Sequence, residues 1–221
     1  MNKKYFILIS CLFAGAGLFS QQTKFSVATE LSLQRSFKKE QRYWAVGQTV
    51  HLHFHLNAKD GVYAWISYYS DGKFSNELTA TAKSPFTTPQ LVNYRNDAEM
   101  RFKHISLGWR RYLKGSFNSE KWNLYGYAGF GLLLGRVFNT HSVPLDTSVY
   151  FVPVRSGKAN FKRLTFDLGF GYEAHIGGDI YFYTEGRALI PTTDYPSKHL
   201  FVNNNAPFMG TVSAGVRILF D

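Results

Sequence analysis

The segment "HLHFH", residues 51–55, places three histidines at alternate positions. In an extended chain their side chains share one face, with successive rings ~6.8 Å apart. A bound metal ion usually needs three or four ligands with supporting groups behind them. One hypothesis is therefore a metal site of His51, His53 and His55, with His175 as a helper near the same strand end. The alternative, which the sequence favours, is that these histidines fill a polar interior.

A second candidate for chemistry is "RFKHISLG", residues 101–108, in which His104 and Ser106 are two positions apart. On a strand both side chains point to the same side, as a serine nucleophile and its histidine base must. The chain shows no convincing catalytic triad beyond this pair. It also shows no nucleotide-binding loop, no zinc-finger spacing and no motif that calls for a cofactor.

Single charged residues recur at alternate positions of apolar segments. If these charged side chains were buried without partners, each would destabilise the fold by roughly several kcal/mol. The acidic residues should therefore pair with the arginines. We expect a polar network inside the molecule. Its predicted members are Glu30, Arg110, Asp167, Glu173, Glu185, Arg187 and Arg217.

The elements that must position these residues follow from a period of two. In "LTFDLGFGYEAHI", residues 164–176, apolar and polar residues alternate without a miss, which predicts a strand with one apolar face. The same search gives eight strands, with the register of the third and fifth left open. They cover residues 24–36, 44–56, 62–69, 100–113, 122–136, 164–176, 180–190 and 208–220.

The connections alternate between short and long. "NAKDG" at 57–61, the segment 114–121 and "GGD" at 177–179 are short, whereas 70–99, 137–162 and 191–207 are long. Long loops at one end, short turns at the other and strands of ~10 residues are typical of transmembrane barrels. We therefore predict an all-β fold: an eight-stranded antiparallel up-and-down transmembrane β-barrel with short periplasmic turns and longer extracellular loops.

A soluble barrel with its apolar face inward is the rival, because alternation alone does not say which face is inside. The residue types on the polar faces favour the membrane barrel over the soluble barrel. They mix glycines with single charged residues, as a narrow, crowded lumen requires, where a solvated outside would carry many lysines. The glycines concerned are Gly108, Gly169, Gly171 and Gly215. Trp44, Trp109 and Trp122 near strand ends suit the two membrane interfaces.

The chain of 221 residues suits one barrel-sized domain. Residues 1–20 have the pattern of a cleaved signal peptide, with Lys3 and Lys4 before an apolar stretch, which leaves 21–221 as the barrel domain. The single cysteine, Cys11, lies in the signal, so the exported chain would hold no disulfide. The formal net charge of +10 invites an anionic partner. For an exported chain we expect membrane phosphates and no nucleic acid.

Two segments carry a family resemblance. "LYGYAGFGLLLGR" at 124–136 and the closing "AGVRILF" at 214–220, with the strand order and the signal, resemble the small outer-membrane β-barrel proteins of Gram-negative bacteria. These form a porin-like or outer-membrane-protein-A-like barrel family. The resemblance implies a place in the outer membrane. One departure is Asp221 after the last aromatic, since many such barrels end on the aromatic.

The pair His104 and Ser106 resembles the catalytic pair of the outer-membrane lipid A deacylase family, which implies a lipid A-modifying enzyme as one alternative. The Asn-Ala that follows in that family is Leu107-Gly108 here. The register also aims both side chains at the lumen, whereas a lipid-cleaving pair should face lipid. We therefore expect no enzymatic activity.

The loops offer the remaining surface. A basic rim could pair with lipopolysaccharide phosphates; its members are Lys38, Lys39, Arg42, Arg155, Lys158, Lys162, Arg163 and Lys198. The apolar run "SVYFVPV" at 148–154 would either extend the barrel or dock a protein partner. We therefore expect a barrel with a filled lumen and a structural or interaction role, with a narrow selective channel as the alternative.

Overall fold

Eight long strands close into an antiparallel ring in the computed structural model, which describes residues 24–192 and 208–220. The strands are β1 Lys24–Ser36, β2 Trp44–His55, β3 Asp60–Ala82, β4 Leu91–Lys114, β5 Trp122–His141, β6 Tyr150–Phe151, β7 Gly157–Gly177, β8 Ile180–Pro191 and β9 Met209–Phe220. All but β6 belong to the ring. Each pairs with its neighbours in chain order, and β9 pairs with β1 to close it. The predicted eight-stranded up-and-down barrel is confirmed.

In residues 24–192 and 208–220, helix is confined to one short 3-10 turn, Lys39–Gln41, between β1 and β2. Within the described ranges, no helix has the length and apolar character of a membrane span. The predicted signal peptide at 1–20, including Cys11, lies outside these ranges, as does Asp221.

The apolar faces of the strands point outward. On β7, Leu164 and Phe170 are each 52% exposed, while Asp167 and Glu173, on the opposite face, are fully buried. The alternation continues around the ring, so mainly polar and aromatic side chains fill the inside, and aliphatic and aromatic ones cover the outside. This arrangement is the reverse of the soluble barrel with an apolar interior.

The two ends of the barrel differ, as the connection lengths predict. At the short-turn end, the Asn57 side-chain oxygen accepts hydrogen bonds from the backbone amides of Lys59 and Asp60, both at 2.8 Å, and holds the β2–β3 turn. Gly178 supplies a positive φ of 57° in the β7–β8 turn, a conformation that glycine adopts without steric cost. Both ends of the described chain, Lys24 and Phe220, lie at this end. The β3–β4 and β5–β7 connections lie at the opposite end, which we call the long-loop end.

The long segment at 70–99, predicted as a loop, is mostly strand, and that prediction was wrong. β3 continues to Ala82 and β4 begins at Leu91, with an unbroken register from Gly72–Met100 to Thr81–Leu91 after an irregularity near Asp71. The irregularity shifts the inward positions of β3 from odd numbers, such as Tyr69, to even numbers, such as Phe74 and Ala80, so the period-two pattern breaks there. Polar cross-strand pairs such as Thr79 and Asn93, 2.8 Å apart, also support the ladder.

β5 and β7 also run further than predicted, to His141 and back to Gly157, and they pair along this extra length. The extensions of β3, β4, β5 and β7 beyond the ring form what we call the projecting sheet. β6 adds to its edge, where Tyr150 and Phe151 pair with Ala82 and Thr81. The apolar run at 148–154 thus extends the sheet, the first of the two roles predicted for it.

Candidate functional site

The lumen holds two charged centres, and Glu173 on β7 is the core of the first, which we call the Glu173 centre. Its carboxylate accepts hydrogen bonds from Arg110 on β4 at 3.0 Å and from two nitrogens of Arg217 on β9, both at 2.8 Å. Asn123 and Tyr112 donate to it at 3.1 and 3.4 Å. All these side chains reach one point because each stands on the inward parity of its strand.

Arg187 on β8 is the core of the second charged centre, which we call the Arg187 centre. Its guanidinium donates to Glu30 at 2.8 Å and contacts the carboxylate of Glu185. The two carboxylates have further donors: Ser213 for Glu30 at 2.8 Å, and Tyr125 and Tyr127 for Glu185 at 3.0 and 2.9 Å. The indole ring of Trp65 also packs on this guanidinium, 4.0 Å from its carbon.

The two centres together balance their charge. Each carboxylate has a guanidinium partner, and the charged groups are three of each kind: Glu30, Glu173 and Glu185 against Arg110, Arg187 and Arg217. All six residues are almost fully buried. Such groups are stable out of water only when paired and hydrogen-bonded, and here they are. The structure places all seven residues of the predicted lumen network inside the barrel, with Asp167 beside His104 at 3.5 Å.

Little space remains between these side chains. Two cavities in the lumen have volumes of about 10 Å³ each, one beside His53 and Arg110 and one beside Tyr43 and Arg163. A single water needs at least ~10–15 Å³ by the same measure. The side chains therefore fill the lumen at both places.

Phe117, in the turn between β4 and β5, closes the short-turn end. Its ring stacks on His55 at a centroid distance of 4.4 Å, and its backbone oxygen accepts a hydrogen bond from Arg217 at 2.7 Å. Sequence reasoning treated 114–121 only as a connection and missed this residue. The available signal was one large aromatic within the otherwise polar turn "KGSFNSEK".

The histidines do not form the four-histidine metal site. The rings of His51, His53 and His55 stack along the lumen at 5.5 and 6.5 Å, but each has its own partner: Glu30 at 3.4 Å, Arg110 at 3.3 Å and Ser26 at 2.7 Å, respectively. His175 instead lies 2.7 Å from the Gly178 carbonyl oxygen at the turn. His175 stands on β7, and three strands of the ring separate β7 from β2, which carries the other three histidines.

Among the described residues, three ligand groups that are close enough for one ion do occur, in Glu30, His51 and Glu185, with ligand atoms within 4.8 Å of one another. Arg187 already bridges the two carboxylates of this group. A metal cation would have to displace a guanidinium that is itself fully buried. The donor set therefore fits an ion poorly.

His104 and Ser106 both face the lumen, as their register predicts, and both are buried. The His104 ring nitrogen lies 2.8 Å from the Thr165 hydroxyl and 3.5 Å from the Asp167 carboxylate. The sequence spacing did not predict this acidic neighbour. The Ser106 hydroxyl donates to the Phe130 backbone oxygen at 3.2 Å. In this arrangement the serine side chain lies inside the barrel, away from its outer wall.

The residues of the predicted basic rim lie in different places. Lys38, Lys39 and Arg42 lie in the β1–β2 connection, and Arg155 lies in the loop before β7. Lys158 and Lys162 stand on the outward face of β7 itself. Lys198 lies outside the described ranges.

The prediction that Arg163 belongs to the basic rim was wrong. Arg163 is 6% exposed inside the barrel, with its guanidinium 5.3 Å from the ring of Phe161. Its position follows from the early start of β7 at Gly157, which extends the alternation of inward and outward residues through 163.

Comparison with known proteins rests on structure alone, because no family model and no curated protein matches the chain. The Neisserial surface protein A has a TM-score of 0.53 at 12% identity, covering 89% of this chain and 97% of its own. The N-terminal β-barrel domain of OprF from Pseudomonas aeruginosa has a TM-score of 0.51 at 10% identity, covering 90% and 100%.

A third similar structure is Ail, the attachment invasion locus protein of Yersinia pestis, in complex with the heparin analogue sucrose octasulfate. Its TM-score is 0.50 at 12% identity, covering 90% of this chain and 100% of its own. Structural similarity at such low sequence identity is evidence for a shared fold alone. The chain has the fold of the small eight-stranded outer-membrane β-barrels of Gram-negative bacteria, as the sequence resemblance predicts.

Proposed function

We propose that this chain is an outer-membrane barrel with a closed lumen, which acts as a structural and interaction protein through its projecting sheet and long loops. The observation that carries the proposal is the balanced set of buried charges in the lumen. Three carboxylates and three guanidiniums join strands that are not neighbours in the ring, so the space where solute would pass holds a structural network. This favours a plugged barrel over a narrow channel.

The outer wall supports membrane insertion. Aliphatic side chains that are about half exposed cover the middle of the barrel, for example Leu107 at 61% and Ile66 at 52%. Exposed tryptophans lie near both limits of this apolar band, Trp44 at the long-loop end and Trp109 and Trp122 at the short-turn end. Closure of the ring also leaves no unpaired strand edge within it, which lipid would not tolerate.

The projecting sheet supports the interaction role. β2 begins at Trp44 and pairs with β3 only as far as Ser70. Between Asp71 and Ala80, no strand among those described pairs with the β2-side edge of β3. An open edge outside the membrane can accept a strand from a partner protein.

Refolding of the exported chain tests the membrane placement. The barrel should fold only with detergent or lipid vesicles, and its electrophoretic mobility should change on boiling. A chain that stays monomeric and freely water-soluble without surfactant would contradict it.

Cross-linking on whole cells tests the interaction role. Cells carrying the wild-type chain should show cross-linked species that disappear when residues 72–98 are replaced by a short turn, while the barrel still folds. An identical cross-linking pattern for both chains would contradict a role for the projecting sheet.

We also propose that the protein has no catalytic role, with the burial of His104 and Ser106 as support. Lipid A from expressing cells should keep all its acyl chains. Loss of an acyl chain that Ser106→Ala abolishes would overturn this proposal.

A further inference from the structure

A concave site of about 400 Å³ lies on the outer wall of the barrel, across β4, β5 and β7 at the long-loop limit of the apolar band. Most of the polar side chains around it are basic. Its polar lining consists of Tyr68, Arg101, Lys103, Arg136, Asn160 and Lys162. We call this surface the wall site; of the predicted basic rim, it contains only Lys162.

Strand register brings these residues together in two adjacent rows. In one row Arg101 is the cross-strand partner of Arg136, which is in turn the partner of Asn160. In the row nearer the short-turn end, Leu134 lies between Lys103 and Lys162. Neighbouring strands lie ~4.8 Å apart, so the four cations occupy a patch about 10 Å wide.

The charge of the wall site is largely uncompensated. Arg101 pairs with Glu99 at 2.8 Å, and Arg136 donates to the neutral side chain of Asn160 at 3.2 Å. In the part of the chain that the structure describes, no carboxylate forms a salt bridge with Lys103 or Lys162. Like charges directly opposite in a sheet, here Arg101 and Arg136, destabilise it unless an anion lies between them.

The surroundings indicate what kind of anion this is. Toward the short-turn end, the next outward residue on each strand is apolar. These residues are Ile105 beyond Lys103, Leu132 beyond Leu134 and Leu164 beyond Lys162. An anionic group held in the wall site would thus sit directly above the apolar band. This is the position of a lipid headgroup whose acyl chains lie against the barrel.

We propose that the wall site binds the phosphorylated sugar headgroup of an outer-leaflet glycolipid of the lipid A type. Arginine forms paired hydrogen bonds to phosphate oxygens, and lysine adds a compact charge. A patch about 10 Å wide, two inter-strand spacings, matches a sugar headgroup with two phosphates better than one phosphodiester. This inference rests on the proposed outer-membrane placement and deepens it by assigning the lipid-binding residues.

The test compares two triple variants of the refolded barrel in detergent. Lys103→Gln, Arg136→Gln and Lys162→Gln together remove the core of the wall site. The matched control, Lys59→Gln, Arg111→Gln and Lys121→Gln, removes the same charges from exposed positions at the short-turn end. Retention of labelled bisphosphorylated lipid A on immobilised protein gives the affinity.

We expect the wall-site variant to bind this lipid A about tenfold or more weakly than the wild type, because charge-assisted hydrogen bonds to phosphate are lost. The control should bind within about twofold, since it leaves these contacts intact. Equal binding by wild type and wall-site variant would overturn the inference. Equal loss in both variants would overturn it too, because it would indicate unspecific attraction.

Competing probes separate the sources of the anion. Inorganic phosphate, phosphatidic acid and sucrose octasulfate should each bind more weakly than lipid A; equal affinity for any of them would contradict a glycolipid site. Mobility with and without boiling is recorded on the same samples. Failure to fold in detergent would count against the proposed membrane placement, whereas a folded barrel with unchanged lipid binding would count against the wall site alone.

Discussion

Arg217 and Glu173 form a two-pronged ion pair, with nitrogen–oxygen distances of 2.8 Å for both hydrogen bonds, although β8 separates their strands. Such a contact crosses the curved interior and does not follow the sheet. Together with Arg110, it ties three of the eight strands to one buried carboxylate. Disruption of the pair should therefore affect the whole barrel, and the first prediction concerns this carboxylate.

Glu173→Leu should lower the free energy of unfolding by about 3–5 kcal/mol, because it leaves two buried guanidiniums without their carboxylate. Urea unfolding from lipid vesicles measures this. The control Glu77→Leu makes the same chemical change at an exposed position of the projecting sheet and should change stability by less than about 0.5 kcal/mol. Equal effects of the two variants would show that the Glu173 centre contributes no special stability.

Phe117→Ala should destabilise the barrel by roughly 2–4 kcal/mol, since the ring packs on His55 and closes the short-turn end. Phe86→Ala is the control, because Phe86 is 94% exposed in the β3–β4 turn. The same unfolding measurement applies to both. If the Phe117 variant is as stable as the Phe86 variant, the turn does not serve as a plug.

Gly108→Ala should cost about 1–3 kcal/mol, because a Cβ there would overlap the backbone oxygen of Ala128 on the neighbouring strand. Gly186→Ala adds the same methyl group on the outward face, where no atom lies within 4 Å, and should be tolerated. The comparison checks how tightly the lumen wall is packed. A neutral Gly108 variant would indicate a wall that is free to move apart.

Zinc should leave the urea midpoint of the wild-type barrel unchanged, because Arg187 already holds the two carboxylates of the three-ligand group. The titration is done on refolded protein, with an added chelator as the reference. A midpoint that rises with zinc and returns with the chelator would restore a metal role for His51.

Much of the fold could be predicted from the sequence, because one physical signal, the alternation of apolar and polar residues, controls it. The bounds of β1 match residue for residue, and those of β9 differ by one residue at Phe208. The inward positions of Glu173 and Arg217 followed from the same alternation. The registers of β3 and β5, left open, required the structure, which turns Trp65 and Tyr127 inward.

The errors have physical causes. The extension of β3 beyond Ser70 was missed because the irregularity near Asp71 interrupts the alternation, and Arg163 was placed outside because the early start of β7 was missed. Contacts across the lumen, such as His104 with Thr165, depend on the closure of the ring and on strand stagger. Alternation within one strand contains no information about either. The wall site was missed for the same reason, since its rows form only when β4, β5 and β7 are aligned.

Conductance in a planar lipid bilayer tests the central claim, a lumen filled by paired charges, most directly. The refolded wild-type barrel, shown on the same sample to change mobility on boiling, should leave the bilayer current at the level of protein-free lipid. A large and steady conductance would contradict the account.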